Sequence, residues 1–421
     1  LHASCSASGL LRPAAEDTKT TSQEIINGSR HGDEKAMDKK IQIVAIVGAI
    51  AFSVMVLSSP SDPIPLPEPA TISEITSASP VSVVATELDK PRAMAVHGDR
   101  VFVTEKEGAV RVIENGTLLE RPLAVLRAAD AFDGGLLGID VDPNFDDNGY
   151  LYVLLTYEEE ANTTTNGDDD AVHRSPPVAL WNKVLRITES GNRLADAATI
   201  LDRIPGSKFT NGGFVKFGPD DKLYIGTGTP SDASHLPQDP ESLAGKILRI
   251  NGDGSVPEDN PFDGSPVYSI GHRNPQGMAW DAAGRMYVAE HGPDKNDEIN
   301  VVVPGGNYGW PQSECSGDDN GNTRAAILCY DPSIEPGGIA FYDSDRLGLE
   351  YGFVMASLRA SNLYQIDFEE GLPSQQSILS GVGRVRDVAV HPDGSIYIIT
   401  SNTDGKGFPD EDDDRLIHIR R

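Results

Sequence analysis

The chain has 421 residues, 38% of them hydrophobic, which is enough to bury a full core in one large body. Its 35 Lys and Arg against 64 Asp and Glu leave a formal charge of -29, which repels phosphate backbones and argues against nucleic acid as a partner. Forty-two glycines, 29 prolines and three cysteines point to a turn-rich fold and exclude a disulfide-dense scaffold.

Residues 1–36 read as disordered or as translation upstream of a natural start at Met37-Asp38-Lys39-Lys40. Ile41 to Leu57 is an uncharged apolar run preceded by Lys39 and Lys40, so 37–57 reads as a signal peptide or membrane anchor. The weak Ser58-Ser59-Pro60 cleavage context favours an anchor, and 58–77 reads as a Pro-rich linker. Export to an extracellular or periplasm-like face follows, with membrane contact through this segment only. Cys315 and Cys329 flank a polar loop and are placed to close it with a disulfide. Asn115-Gly116-Thr117 and Asn162-Thr163-Thr164 are candidate glycan acceptors.

From about Ala78 one theme recurs: an apolar alternation, a Pro-Asp-Gly-like turn, and a second alternation usually carrying an aromatic. It is read from Met94, Ile139, Val215, Met278 and Val388, with a looser copy from Ile339. Second hairpins follow from Val110, Lys183 and Lys246. Such imperfect copies predict an all-β, six-bladed β-propeller of four-stranded antiparallel blades over 78–421, without long helices. The ring is expected to close by pairing Val81 to Leu88 with Arg415 to Ile419, which removes free sheet edges. The acidic runs Asp168 to Asp170 and Asp410 to Asp414 read as solvated loops.

The densest chemistry lies in Gly271 to Pro311, GHRNPQGMAWDAAGRMYVAEHGPDKNDEINVVVPGGNYGWP. Asp297, Glu298, Tyr308 and the carbonyls around Gly292 and Pro293 are hard oxygen donors of the kind calcium takes. Arg273 lies just upstream, so an anionic ligand fits between a guanidinium and a metal. No His and Cys cluster suggests zinc.

The ordered strings GLLGI at Gly135, NGG at Asn211 with FGPDDKLYIGTG, LAGKILRINGDG at Leu243, GHRNPQG, EHGP, DEIN and NYGWP resemble the soluble glucose and sorbosone dehydrogenase family. That resemblance covers about Pro91 to the C-terminus. It implies a six-bladed propeller that binds pyrroloquinoline quinone (PQQ) and calcium and oxidises an aldose at its anomeric carbon to the lactone, passing electrons to an external acceptor. It implies that Arg273, Asn274, Ser333, Arg359, Arg384 and Arg386 contact the cofactor, with Arg359 standing where the family has Lys. Gly292, Pro293 and Asp297 match ligands of a cofactor-proximal calcium, and Glu298, Tyr308 and Asp318 those of a structural one. The four arginines are expected to converge on one mouth of the propeller.

The family's catalytic His is replaced by Thr210, beside Asn211. A Thr hydroxyl is far too weakly basic to take a proton at neutral pH. Asp133 stands near a family Gln or Glu, and Thr229 near a family Asp. Asp133, His235 and His291 are the candidate substitute bases. Two alternatives stay open: a non-catalytic calcium-binding propeller that holds a sugar or anion at the cell surface, and a calcium-dependent lactonase. An arginine cluster has no use in a lactonase.

Overall fold

The computed structural model describes residues 81–129, 131–159, 179–318, 320–368 and 373–421. The expectations for 1–36, 37–57 and 58–77, for Asn162 and for Asp168 to Asp170 lie outside the described residues. Among the described residues no helix is long and apolar enough to cross a membrane.

Strand β1 (Val81–Ala85) opens the described chain and joins the last sheet. Blade I holds β2 (Pro91–His97), β3 (Arg100–Glu105), β4 (Ala109–Glu114) and β5 (Thr117–Leu118), with β6 (Ala124–Val125) also against β4. Blade II holds β7 (Leu136–Val141), β8 (Tyr150–Glu159), β9 (Ala179–Glu189) and β10 (Leu194–Pro205). The single turn of helix α1 (Phe145–Asn148) interrupts its first hairpin. Blade III holds β11 (Gly212–Phe217), β12 (Leu223–Thr227), β13 (Lys246–Ile250) and β14 (Val267–Ile270). Blade IV holds β15 (Pro275–Trp280), β16 (Met286–Glu290), β17 (Asp297–Val302) and β18 (Leu328–Tyr330). Blade V holds β19 (Pro336–Tyr342), β20 (Gly352–Ser357), β21 (Asn362–Asp367) and β22 (Ser374–Ser380). Blade VI holds β23 (Val385–Val390), β24 (Ile396–Thr400) and β25 (Leu416–Ile419), and β1 completes it, with Val81 opposite Ile419.

The chain is therefore an all-β, six-bladed propeller closed by its first described strand, as the repeats predict. Each recurrent hairpin of the sequence is the inner pair of one blade. Its turns follow the local chemistry: Asn115 and Gly116, at φ 50° and 75°, make the tight link between β4 and β5 that an Asn-Gly pair favours.

Side-chain alternation builds the core. Along β3, Phe102 points to the cluster shared with blade II, while Val101 and Val103 point to the one shared with blade VI. Six such apolar clusters fill the six gaps between neighbouring blades, so no blade is buried on one face alone.

The inner strands β2, β7, β11, β15, β19 and β23 contact one another in that order around the axis and back to β2. Glycine makes the approach possible. A Cβ at Gly138 would lie 2.8 Å from the Val215 nitrogen and 3.0 Å from the Gly213 carbonyl. One at Gly277 would lie 2.5 Å from the Gly337 carbonyl.

Two details differ from the sequence reading or extend it. In the run Asp410 to Asp414, Asp413 and Asp414 are buried rather than solvated. Asp414 accepts hydrogen bonds from Thr400 and Thr403 hydroxyls and the Asn402 amide, and Asp413 accepts from the Asn402 side chain and Arg415. Buried carboxylates here satisfy loop donors that would otherwise lack partners. Cys315 and Cys329 form a disulfide, their Cα atoms 5.8 Å apart.

Substituting Gly138→Ala is expected to lower stability by about 1–3 kcal/mol, because backbone atoms of β11 surround the new methyl and cannot yield. Urea unfolding checks this; an unchanged midpoint would mean the inner strands separate freely.

Candidate functional site

In three blades the second residue of the inner strand is polar: Arg92 on β2, Gln276 on β15 and Arg386 on β23. All three line both a narrow axial channel and the wider mouth above it. The mouth, about 600 Å³, adds Lys90, Lys106, Arg384 and Lys406 against the carboxylates Asp133, Glu335 and Asp404, with Asn211, Asn274 and His291 among its neutral groups. Six cationic side chains thus face three carboxylates, the reverse of the balance of the whole chain.

Those cations are unequally satisfied. Arg384 is paired with Glu335 at 3.1 Å and Asp404 at 3.2 Å. Burial would push Glu335 upward, but the charges of Arg384, Lys406 and Arg359 outweigh it and hold the group below the usual carboxylate range. Arg386 is only 9% exposed, and its guanidinium has no hydrogen-bond partner among the described residues. Arg92 gives one bond to the Asp133 carbonyl, 3.0 Å away, and its buried Nε has none. Burial, with the adjacent charge of Arg386, pushes Arg92 down to about 9. Burial likewise lowers Arg386. One buried donor, Arg92 Nε, has no partner, and the adjacent Arg386 guanidinium has none within the described protein, so an anion in the mouth would serve both.

The expected convergence of four arginines is met by Arg384 and Arg386. Arg273 lines a neighbouring cavity that shares His291 with the mouth. Its Nη1 donates to the carbonyls of His291 and Gly292 at 2.8 and 2.6 Å, and its guanidinium lies over the Trp310 ring. Arg359 is about half exposed and tethered to Glu335 at 2.8 Å. Arg92, overlooked in the sequence, takes their place. Its signal was register: it occupies in blade I the strand position that Arg386 occupies in blade VI.

The two asparagines fix the rim. Asn274 accepts from the Gly212 amide at 3.1 Å and so joins blade IV to blade III. Asn211 closes its own loop, accepting from Ser207 N and donating to Ser207 O at 2.9 and 2.7 Å.

Thr210 sits at φ 57°, and its hydroxyl is within hydrogen-bonding reach of the Phe209 and Thr229 carbonyls. It acts as a donor, which is the opposite of a base. Thr229 is buried and donates to the His272 carbonyl at 2.8 Å. His235 is exposed ahead of a short 3-10 turn and does not line the mouth. His291 does line it; Nε2 lies 2.9 Å from the Pro336 carbonyl, so Nε2 carries the hydrogen and Nδ1 the lone pair. Burial pushes this imidazole down to about 4, which leaves it neutral.

The calcium ligands implied by the resemblance come together in part. Gly292, Pro293, Glu298 and Tyr308 line the Arg273 cavity, about 240 Å³, with Glu290 and Glu314. Tyr308 Oη already donates to the Val301 carbonyl at 2.7 Å. Asp297 lies behind the cavity and accepts from Ser333 Oγ and from the amides of Ile334, Glu335 and Gly292 at 2.7 to 2.9 Å. Ser333 therefore serves this carboxylate and does not line the mouth. Asp318 is bonded within its own loop to Asn322 and Thr323. Burial and the Glu290 charge push Glu298 up to about 8. The Gly292 carbonyl already faces a guanidinium and Asp297 accepts four hydrogen bonds from within the protein, three of them on Oδ2, so the donor set as arranged does not fit calcium.

A six-bladed propeller whose basic mouth lies over an axial channel defines the class: a ring-shaped β-scaffold with a cationic opening at one end of its axis. Residues 88–410 match the model of the glucose / sorbosone dehydrogenase family, and the chain belongs to that family. It is 33% identical over 269 residues to quinoprotein glucose dehydrogenase B of Acinetobacter calcoaceticus, an alignment spanning 58% of this chain and 54% of that protein. It is 28% identical over 354 residues to the aldose sugar dehydrogenase YliI of Escherichia coli, spanning 77% and 91%. The structure of PQQ-bound aldose sugar dehydrogenase from Streptomyces coelicolor matches with a TM-score of 0.68 at 34% identity, covering 81% of this chain and 98% of that one.

Thermal unfolding of the purified protein is expected at the same midpoint with excess EDTA as with added calcium, since an ion that does not bind the folded state cannot stabilise it. A calcium-dependent rise of several degrees would show that Arg273 yields the Gly292 carbonyl to the metal.

Proposed function

We propose that this propeller is a PQQ-dependent dehydrogenase that oxidises an aldose at its anomeric carbon to the lactone. The observation that carries the reading is the adjacent pair Arg386 and Arg92, whose guanidiniums keep donors unused inside the protein, in a mouth dominated by positive charge. Their chemistry fits a tricarboxylate. When bound, PQQ supplies the two-electron acceptor for the hydride leaving the anomeric carbon. Arg92, Arg384 and Arg386 would hold its carboxylates by charge-assisted hydrogen bonds, and Gln276 and Asn274 would supply neutral polar contacts.

The remaining task is removal of the hydroxyl proton. Thr210 cannot do this, and His291, pushed down to about 4, is no stronger a base than a carboxylate. Glu335 and Asp404 are engaged by Arg384. Asp133 is the carboxylate left to accept the proton: its nearest cation is Lys406, 3.9 Å away, and it lines the mouth beside Arg92. Electrons then pass to an external acceptor. Export of the protein agrees with the Cys315–Cys329 disulfide, which persists in oxidising compartments.

Thr210 favours one second reading, a propeller that keeps its anionic ligand but does not turn over. The lactonase reading has no comparable support, because the mouth presents guanidiniums where that chemistry needs a carboxylate cage around a metal.

Arg386→Ala is expected to weaken PQQ binding, measured by fluorescence titration, by about 1.5–3 kcal/mol; unchanged affinity would place the cofactor elsewhere. Thr210→His is expected to raise the rate of dye reduction with aldose and PQQ, because it restores a base near the operating pH. Absence of turnover in both proteins, with the quinone bound, would establish the binding-only reading.

A further inference from the structure

The hairpin turn between β4 and β5 stands apart from everything the mouth uses. Lys106, in the link from β3 to β4, lines the mouth, so β4 runs away from it and the Asn115-Gly116 turn lies at the opposite face. Asn115, Gly116 and Thr117 are all exposed. The turn is nonetheless held: the Asn115 amide donates to the Asp99 carbonyl at 3.0 Å, and φ values of 50° and 75° fix a tight two-residue link. Asn115 Nδ2 and the Thr117 hydroxyl make no hydrogen bond among the described residues. A Cβ placed on Gly116 would meet nothing within 4 Å, and β5 is only two residues long, so the space beyond the tip is open.

The same three residues carry a chemical signal. Asn-x-Thr, with x other than Pro, is the acceptor triplet for an N-linked oligosaccharide, and Asn115-Gly116-Thr117 is the one such triplet among the described residues. Asn211 and Asn274, by contrast, are buried and spend their side chains inside the protein. The Cys315–Cys329 disulfide agrees with maturation in an oxidising compartment, which is where such an acceptor is modified.

We propose that Asn115 is a glycosylation site, carrying an N-linked oligosaccharide on the face of the propeller remote from the mouth. The donor is an oligosaccharide joined to a lipid diphosphate. Asn115 Nδ2 loses one proton and forms a bond to the anomeric carbon of the first sugar. The bond from that carbon to the diphosphate oxygen breaks, and the lipid diphosphate leaves with the electron pair, so no oxidant or reductant is required. The open tip lets the attached chain extend into water without displacing any packed strand, and it leaves the cationic opening clear. The proposal rests on the export reading.

The test expresses the full chain in cells that N-glycosylate secreted proteins, with protease protection of the isolated vesicles to show which side of the membrane the propeller occupies. Digestion with an N-glycosidase in heavy-oxygen water converts a glycan-bearing Asn to labelled Asp, and peptide mapping reads residue 115 by itself. Label is expected at 115 in protected wild type and in Thr117→Ser, with complete loss in Asn115→Gln and in Thr117→Ala. The last variant keeps both turn residues, so its loss of label is not a folding failure. PQQ affinity is expected to be equal before and after glycan removal, and a change would overturn the separation of glycan from mouth. Unlabelled Asn115 in a protected chain overturns the site and leaves export standing. Unlabelled Asn115 in a chain open to protease overturns the export reading and the proposal with it, while the quinone titration still reads the dehydrogenase proposal independently.

Discussion

Six inner strands crowd around one axis closely enough that backbone meets backbone, and the rest of the molecule follows from that crowding. Glycine occupies points of nearest approach such as Gly138 and Gly277. Where the strands begin, side chains have nowhere to go but into the mouth or the channel. Arg92, Gln276 and Arg386 share that position in three blades, which forces two guanidiniums together in a place where water is scarce. Mutual repulsion and lost hydration are the cost. The apolar clusters between the blades supply the stability against which it is set.

The fold was legible because it is repetitive. Each hairpin carries its own turn chemistry and alternation, and closure of the ring could be read from an apolar alternation at each end of the repeats. What the repeats do not convey is depth. The run Asp410 to Asp414 reads as uniformly solvated, yet Asp413 and Asp414 turn inward because Thr400, Asn402 and Thr403 offer donors from a distant stretch of chain. Local composition carries no trace of such partners.

The site was legible in the same uneven way. Motif likeness located Arg384, Arg386, Asn211, Asn274 and Asp133 on the mouth, but it could not say which groups would be consumed internally. Asp297 and Tyr308 have the chemistry of metal ligands and spend it on backbone donors and acceptors. Arg273 spends its own on the 291–292 turn. Arg92 carried no motif at all; only superposing the repeats, strand by strand, marks it as the counterpart of Arg386. Thr210 shows the converse. Its identity alone ruled out a base, and the structure adds that its hydroxyl already points at carbonyl oxygens.

Blade VI is assembled from both ends of the described chain, with Val81 paired to Ile419, and it carries Arg384 and Arg386. A growing polypeptide therefore has an incomplete cup until its final strand has been made and has found a partner laid down hundreds of residues earlier. Any group held in the mouth gains its full enclosure only once that pairing is made.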